Sequence, residues 1–195
     1  MKNISDIAAV TRIHRILHRW FGSVMIVILI IVSGTGLLLG WKKNSNGFLL
    51  AENRQGTSTD MSKWQSMDSL HRSAIRLLRD SVDPALSRTT DRIDVRPEKG
   101  MVKFTFKGHF HAIQIDAATG HMLSTEIRRA DWIEKLHDGS ILDQYLISDG
   151  QPFKLTYTTI TSVGMMLLSF TGFWLWYNPR RIRRRKEKSA ERKIT

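Results

Sequence analysis

The chain has 195 residues, with 30 Lys and Arg against 18 Asp and Glu, and a formal net charge of +12. It contains no cysteine, which excludes a disulfide framework, a thiolate metal site, covalently attached c-type haem and a cysteine nucleophile. An isoelectric point near 10.4 and a mean hydropathy of −0.24 are typical of a basic soluble protein with an anionic partner. The distribution of the charges along the chain decides whether that partner is nucleic acid or lipid.

Two stretches without a charged residue are long enough to cross a bilayer. They are 20–41 and 155–177. A hydrocarbon core of about 30 Å needs about 20 helical residues, and Trp or Tyr stands at the ends of both stretches, as in the interfacial belts of membrane helices. The sequence therefore predicts two transmembrane helices. The first is too long for a signal peptide and lacks a small-residue cleavage site after Trp41, so it is predicted to remain as a signal anchor.

Basic residues flank both stretches and predict the orientation. Residues 1–19 carry a net charge of +3 and residues 178–195 carry +7, whereas residues 42–154 carry only +2. The positive-inside bias places both termini in the cytoplasm and 42–154 in the periplasm of a Gram-negative host. We therefore expect a multi-pass protein of the bacterial inner membrane. The basic tail adjoins a membrane helix and lacks interleaved aromatic residues, so its predicted partner is membrane lipid and not nucleic acid.

The middle of the chain predicts a small α+β domain. The polar, turn-rich segment 44–60 is predicted to be a linker or an irregular strand, and apolar residues then recur at helical spacing over 66–78. Alternating segments then predict antiparallel strands at 91–96, 102–107, 109–116 and 121–127. The loop Asp116-Ala-Ala-Thr-Gly120 is typical of a hairpin closed by a left-handed glycine. The predicted fold is an α+β membrane protein in which two transmembrane helices flank a helix-plus-antiparallel-sheet domain.

Four short segments carry a resemblance that extends over roughly residues 10–185. They are RIHRILHRWFG at 12–22, IDAATGHML at 115–123, KLHDGSI at 135–141 and TGFWLWYNPRR at 171–181. In this order they resemble the PepSY-associated transmembrane family. The resemblance implies a PepSY-type domain outside the membrane. Larger relatives carry two such domains and twice as many helices, and some are haem-containing inner-membrane reductases of ferric siderophores; this chain is similar to one half of that plan.

The resemblance implies that His14, His18 and His137 are ligands of haem b, since imidazole is its usual axial ligand. His14 and His18 are four residues apart and share one helical face, so they cannot reach opposite faces of one porphyrin. The second predicted span has no histidine, so a bound haem requires a homodimer or a second membrane subunit. Alternatively, His14 and His18 form an interfacial basic collar with the neighbouring arginines. His137, predicted on the periplasmic side, either serves a second site or is a structural residue.

The other histidines favour structure over metal chemistry. His109, His111 and His121 are close enough in the predicted hairpins for an iron or copper site, but such residues are more often the polar edge of a hairpin core, and no metal site is predicted. A two-residue turn after Phe106 would place His111 opposite Phe104. We expect His71 at the surface or at a helix cap.

Small residues in both predicted spans favour close helix packing. They are Ser33, Gly36 and Gly40 in the first span and Gly164, Ser169 and Gly172 in the second. The Gly34-Thr-Gly36 stretch has the wrong spacing and context for a dinucleotide loop. The stripes are therefore predicted to form a helix–helix interface.

Two functions remain open. In the first, the protein is a haem-binding redox component, dimeric or partnered, that supports reduction or uptake of ferric siderophores; its electrons would come from quinol or a partner, because no flavin or nicotinamide motif is present. In the second, it is a non-enzymatic membrane-anchored module that binds or restrains a periplasmic protein. No catalytic residue is predicted, and whether the protein is an enzyme stays open.

Overall fold

The computed structural model describes residues 4–146 and 150–194, which form two compact units. The helical unit comprises the chain up to Ser33 together with the chain from Gln151 onward, and the sheet unit comprises Gly34–Gly150. Helix α1 (Ile4–Gly40) begins in the helical unit, and its last turns belong to the sheet unit. The other long helix is α5 (Pro152–Ile194), with Pro179 in its interior.

The two long helices pack antiparallel in the helical unit. Five pairs mark the contact: Thr11 with Asn178, His14 with Trp174, His18 with Thr171, Gly22 with Leu168, and Met25 with Gly164. Each step advances three or four residues on both helices, which is the spacing of one helical face. Two facing stripes of residues, one on each helix, therefore hold the hairpin together.

The remaining faces of these helices are apolar and exposed. The side chain of Val24 is 69% exposed and that of Phe170 is 72% exposed, although both belong to the uncharged stretches of the two helices. A buried core helix of a soluble protein would cover such side chains, whereas lipid covers them in a membrane. Ile7–Gly40 and Pro152–Glu187 are each long and apolar enough to span a bilayer.

The sheet unit contains a four-stranded antiparallel meander in the order β1-β2-β3-β4. The strands are β1 (Thr90–Arg96), β2 (Met101–Phe106), β3 (His111–Asp116) and β4 (Met122–Ile127). Helix α2 (Met67–Ser81) precedes the sheet, and α3 (Arg129–Asp138) and α4 (Ser140–Leu146) follow it. The predicted α+β order of one helix and four strands is confirmed, while α3 and α4 were not foreseen.

Alternating apolar residues build the core between α2 and one sheet face. Leu70 and Ala74 on α2 and Phe104 and Ile113 on the strands are all 0% exposed, as the helical and strand periodicities predict. The side chain of Ser66 accepts a hydrogen bond from the Ser69 N–H (3.2 Å), which caps the first turn of α2.

The register of β2 and β3 differs from the predicted one. Phe104 pairs with Ile113, so the predicted pairing of Phe104 with His111 was wrong. The loop is longer than two residues because Gly108 adopts a left-handed conformation (φ 85°) and His109 turns its ring toward the carbonyl of Ser87.

The opposite sheet face is polar and is covered by the predicted linker. The Gln114 side chain, fully buried, accepts from the Arg54 N–H (2.8 Å) and donates to the Glu52 carbonyl (3.1 Å) and the Glu126 carboxylate (2.8 Å). Lys103 pairs with Glu126 at 2.6 Å on the same face. Part of the segment predicted as a linker or an irregular strand, residues 52–57, is therefore a strap that is hydrogen-bonded to the sheet.

Asp116 explains the Asp-Ala-Ala-Thr-Gly hairpin. Its carboxylate accepts from the N–H groups of Ala118 (2.9 Å) and Thr119 (3.3 Å) within the loop and from both the N–H and the hydroxyl of Thr57 on the strap. Gly120 closes the loop with φ 74°, a conformation that favours glycine. The pattern therefore encodes a turn and an attachment point for the strap.

Replacing Asp116 with Asn should lower the free energy of unfolding of the sheet unit by about 1–3 kcal/mol, since the amide NH₂ would face groups that themselves donate. Chemical denaturation of the purified protein, followed by tryptophan fluorescence, measures the change. Asp91→Asn, at an exposed residue, is the matched control and should change stability little. Equal stability of the Asp116 variant and the wild type would contradict this role.

Burial raises the pKa of Asp116, but the hydrogen bonds from Thr57, Ala118 and Thr119 outweigh burial and lower the pKa below its ordinary value. The carboxylate is thus favoured in the folded state. Its contribution to stability is present above the unfolded pKa of about 3.9 and is lost as the pH falls through the lower folded value.

Candidate functional site

His18 is held against α5 by one threonine. Its Nδ1 lies 2.8 Å from Thr171 Oγ1, and the threonine hydroxyl donates to the Leu167 carbonyl at 2.7 Å. A hydroxyl has one hydrogen; when that hydrogen is directed at the Leu167 carbonyl, Thr171 accepts from His18 and Nδ1 carries the proton. Gly172 leaves room for the ring, since a Cβ there would lie 3.4 Å from His18 Cε1. Nε2 of His18 then has a free lone pair and no hydrogen-bond partner among the described residues.

His14 lies one turn before His18 on α1 and is held differently. Its Nδ1 is 2.9 Å from the Val10 carbonyl of the same helix, which can only accept, so Nδ1 again carries the proton. The ring stacks on Trp174 with centroids 5.0 Å apart and planes inclined by 18°. His14 therefore makes its hydrogen bond within α1 and contacts α5 only through an aromatic face.

His137 occupies the end of α3 in the sheet unit. The helix ends at Gly139, which is left-handed (φ 78°), and Asp138 accepts from the Ser140 N–H at 2.9 Å to begin α4. The Lys-Leu-His-Asp-Gly-Ser segment thus connects α3 to α4, and His137 lies in the last turn of α3. Nδ1 of His137 lies 2.9 Å from Thr35 Oγ1 on the last turns of α1.

The surroundings of His137 repeat those of His18. Each histidine has Nδ1 at hydrogen-bond distance from a threonine. The residue after each threonine is a glycine, and a Cβ added to it would lie 3.4 Å from the ring Cε1. The two threonine–glycine pairs are Thr35-Gly36 and Thr171-Gly172. Both lie in a Ser-x-Thr-Gly sequence, at 33–36 and at 169–172. The Ser-x-Thr-Gly repeat is the sequence pattern that the two sites share. From the sequence alone, its Ser and Gly positions were predicted to pack helices together.

The packing prediction for the small-residue stripes is confirmed at two positions of the second span. Gly164 and Gly172 both lie against α1, since a Cβ on Gly164 would come within 2.6 Å of Met25 Cε and a Cβ on Gly172 would lie 3.4 Å from His18 Cε1. In the first span, Gly36 lies against the His137 ring, and a Cβ on Gly40 would meet nothing within 4 Å.

The three candidate ligand histidines are divided between the two units: His14 and His18 belong to the helical unit, and His137 belongs to the sheet unit. Within the described residues, no group of three or more His, Asp or Glu side chains is arranged to hold a metal ion. The arrangement therefore offers separate imidazoles, each with Nδ1 hydrogen-bonded.

Two of the remaining histidines, His71 and His109, make ring hydrogen bonds to protein groups. His109 Nε2 donates to the Ser87 carbonyl (3.0 Å), and its Nδ1 accepts from the His111 N–H (3.2 Å), which leaves no lone pair for a metal. His71 Nε2 lies 2.7 Å from Thr90 Oγ1, and its ring stacks on Phe104. The expectation that His71 is a surface or capping residue was wrong, because it packs against the core.

We expect His109 to make the sheet unit sensitive to acid. Burial lowers the pKa of His109, the hydrogen bond to Ser87 opposes this shift, and the charges of His111 and Arg128 lower the pKa further. The unfolded chain therefore binds a proton first, and stability should fall as the pH drops below about 6.5 toward the lower folded pKa. Denaturation at pH 7.5 and pH 5 measures this loss, which His109→Gln should reduce. An unchanged loss in His109→Gln would assign the acid sensitivity to other groups.

Two long helices with exposed apolar faces, together with a small domain of one antiparallel sheet and its helices, are typical of a membrane protein with one small folded domain. A sequence model of the PepSY-associated TM region matches residues 15–195. Because the match covers most of the chain, the protein belongs to this family. A search of curated proteins finds no match.

Proposed function

We propose that the protein is a haem b electron carrier of the bacterial inner membrane, in which His18 and His137 would each hold a haem at a separate site, with His14 beside His18. The observation that carries the proposal is the state of the three imidazoles: each has Nδ1 in a hydrogen bond, and none has an Nε2 partner among the described residues. Ligating histidines typically use one ring nitrogen for the metal and donate the other N–H to the protein. The residues present therefore fit an axial-ligand role.

Haem iron, when bound, carries one electron by cycling between the ferric and ferrous states. The chain's own residues would orient the imidazoles and exclude water by surrounding them with helix. The charge distribution supports cytoplasmic termini and a periplasmic sheet unit, because the ends carry +3 and +7 and the middle only +2. Electrons would then pass from quinol or a partner toward a periplasmic acceptor such as a ferric siderophore.

A second histidine for the haem that His18 would hold would have to come from outside this helix pair. His14 is on the same face of the same helix, and α5 has no histidine. A second copy of the chain, or another membrane subunit, would supply it. The proposed carrier is therefore dimeric or partnered.

The visible spectrum of the protein, purified in detergent from haem-replete cells, tests the proposal. We expect a Soret band, sharpening of the α and β bands on reduction with dithionite, and a pyridine haemochrome of b type. Light scattering on the same sample should give a dimer mass. Absence of a Soret band in haem-replete material would overturn the proposal.

A second candidate function is that of a partner-binding module. One observation favours it: β1 is an edge strand, and Ile93 and Val95 on it are each 38% exposed. An exposed strand edge can accept an extended peptide as an additional strand. A photo-crosslinker at Ile93 in cells should then give a discrete adduct, and one at Arg72, on the exposed face of α2, should not. Equal labelling at both positions would count against the module.

A further inference from the structure

The threonine–glycine pair that holds His18 recurs around His137. In both places the threonine lies on an apolar helix and is buried, with Thr35 7% and Thr171 8% exposed. In both places the following glycine faces the ring edge. Two different segments of the chain therefore hold an imidazole in the same way, and this arrangement fixes the orientation of the ring at both positions.

Thr171 controls which ring nitrogen of His18 carries the proton. Its hydroxyl hydrogen is directed at the carbonyls of Leu167 (2.7 Å) and Leu168 (3.2 Å) of its own helix, a common arrangement for a helical threonine. The oxygen then faces His18 as an acceptor only. A neutral imidazole has one N–H, so Nδ1 must carry it, and the lone pair is left on Nε2.

Thr35 stands in the same helical setting and at a similar distance, 2.9 Å, from Nδ1 of His137. The same preference of a helical threonine hydroxyl for a carbonyl of the preceding turn makes its oxygen an acceptor toward the ring. Gly36 lets the ring approach, since any larger side chain would meet Cε1 at 3.4 Å or less.

We propose that Thr171 and Thr35 are positioning residues that hold His18 and His137 in the Nδ1–H form, so that each ring presents Nε2 as its free lone pair. Free histidine in water prefers the Nε2–H form, so the two threonines reverse the intrinsic preference. Gly172 and Gly36 are the spacers that admit each ring to its threonine.

The first test uses the haem-free full-length protein in detergent with ¹⁵N-labelled histidine. Long-range ¹H–¹⁵N correlation at alkaline pH, where imidazole is neutral, distinguishes the two tautomers by their nitrogen shifts. His18→Gln and His137→Gln assign the signals. We expect the Nδ1–H pattern for both residues in the wild type, and the Nε2–H pattern for either would overturn the proposal for that residue.

Matched variants separate positioning from general structure. Thr171→Val keeps the shape but removes the acceptor, and should convert His18 alone to the Nε2–H pattern; Thr35→Val should convert His137 alone. Each variant is the control for the other. Thr171→Ser and Thr35→Ser keep the acceptor and should keep the wild-type pattern. An unchanged His18 in Thr171→Val would show that the threonine does not set the tautomer.

A second test rests on the proposed haem function and is read separately. An Nδ1–H that donates to an acceptor makes the imidazole a stronger ligand and favours ferric iron, so Thr171→Val should raise the midpoint potential of the haem and Thr171→Ser should leave it unchanged. An unchanged potential in Thr171→Val would overturn the link to the haem. A protein that binds no haem but shows the expected tautomers would refute the proposed function and leave the positioning role intact.

Discussion

Replacing His18 with alanine should eliminate the part of the Soret absorbance of the purified protein that comes from the haem held by His18. Among the candidate histidines, His18 on α1 is hydrogen-bonded to the other long helix, through Thr171 on α5 at 2.8 Å. Its ring is therefore held in place before any haem binds. Alanine removes the imidazole that ligates and leaves Thr171 hydrogen-bonded to its own helix. The loss should therefore be chemical and not a consequence of unfolding, which circular dichroism at the helical bands would verify.

His14→Ala is the matched control for His18→Ala. Both residues lie on α1, one turn apart, and both are half-buried. His14 hydrogen-bonds only within its helix and stacks on Trp174, so its loss should shift the band or the midpoint potential without removing the haem. The reverse result, with the band lost in His14→Ala and kept in His18→Ala, would transfer the ligand role to His14. Full bands in both variants would refute both assignments.

Gly56→Ala is expected to destabilise the sheet unit by about 3 kcal/mol or more, because the new methyl group would collide with backbone. A Cβ at Gly56 would lie 2.8 Å from the carbonyl carbon of Gly100 and closer still to its oxygen. The Gly56 N–H also donates to the Lys99 carbonyl at 2.8 Å. Neither side of this contact is a flexible side chain, so the strap would have to separate from the β1–β2 turn.

Limited proteolysis and chemical denaturation measure the effect of Gly56→Ala. We expect early cleavage within the strap and a lower unfolding midpoint. Gly34→Ala is the control, since a Cβ there meets nothing within 4 Å and alanine is the better helix former. Comparable destabilisation by both substitutions would mean that the effect of Gly56→Ala does not come from this contact.

The regular elements of the sheet unit were largely predictable because they follow local periodicity. Apolar residues four apart on α2 and alternating residues on β2 can bury a face in only one way. The loop after Phe106 was not predictable, because its length depends on His109 finding the Ser87 carbonyl, a contact across more than twenty residues. The strap was missed for the same reason, since Gln114 and Asp116 supply its hydrogen bonds from the sheet.

The candidate site was predictable only in part. Resemblance to the family directed attention to His14, His18 and His137, but the sequence alone assigned Gly172 only to helix packing and gave Thr171 no role. The ring of His18 reaches a threonine 153 residues away, and no local pattern reports such a pair. The repeated Ser-x-Thr-Gly sequence becomes meaningful once both copies are seen beside a histidine.

The amino-acid sequence by itself determined the membrane class, the two spanning segments and the family, because hydropathy and charge act through the bilayer on any segment of sufficient length. The net charge of +12 proved to be concentrated in the two chain ends that flank the apolar helices. The tertiary structure decided which nitrogen of His18 and of His137 is held, because that depends on a single hydroxyl within about 3 Å. Insertion into a bilayer depends on the hydropathy of about twenty residues taken together, whereas the tautomer of a histidine ring depends on a single hydrogen-bonding atom.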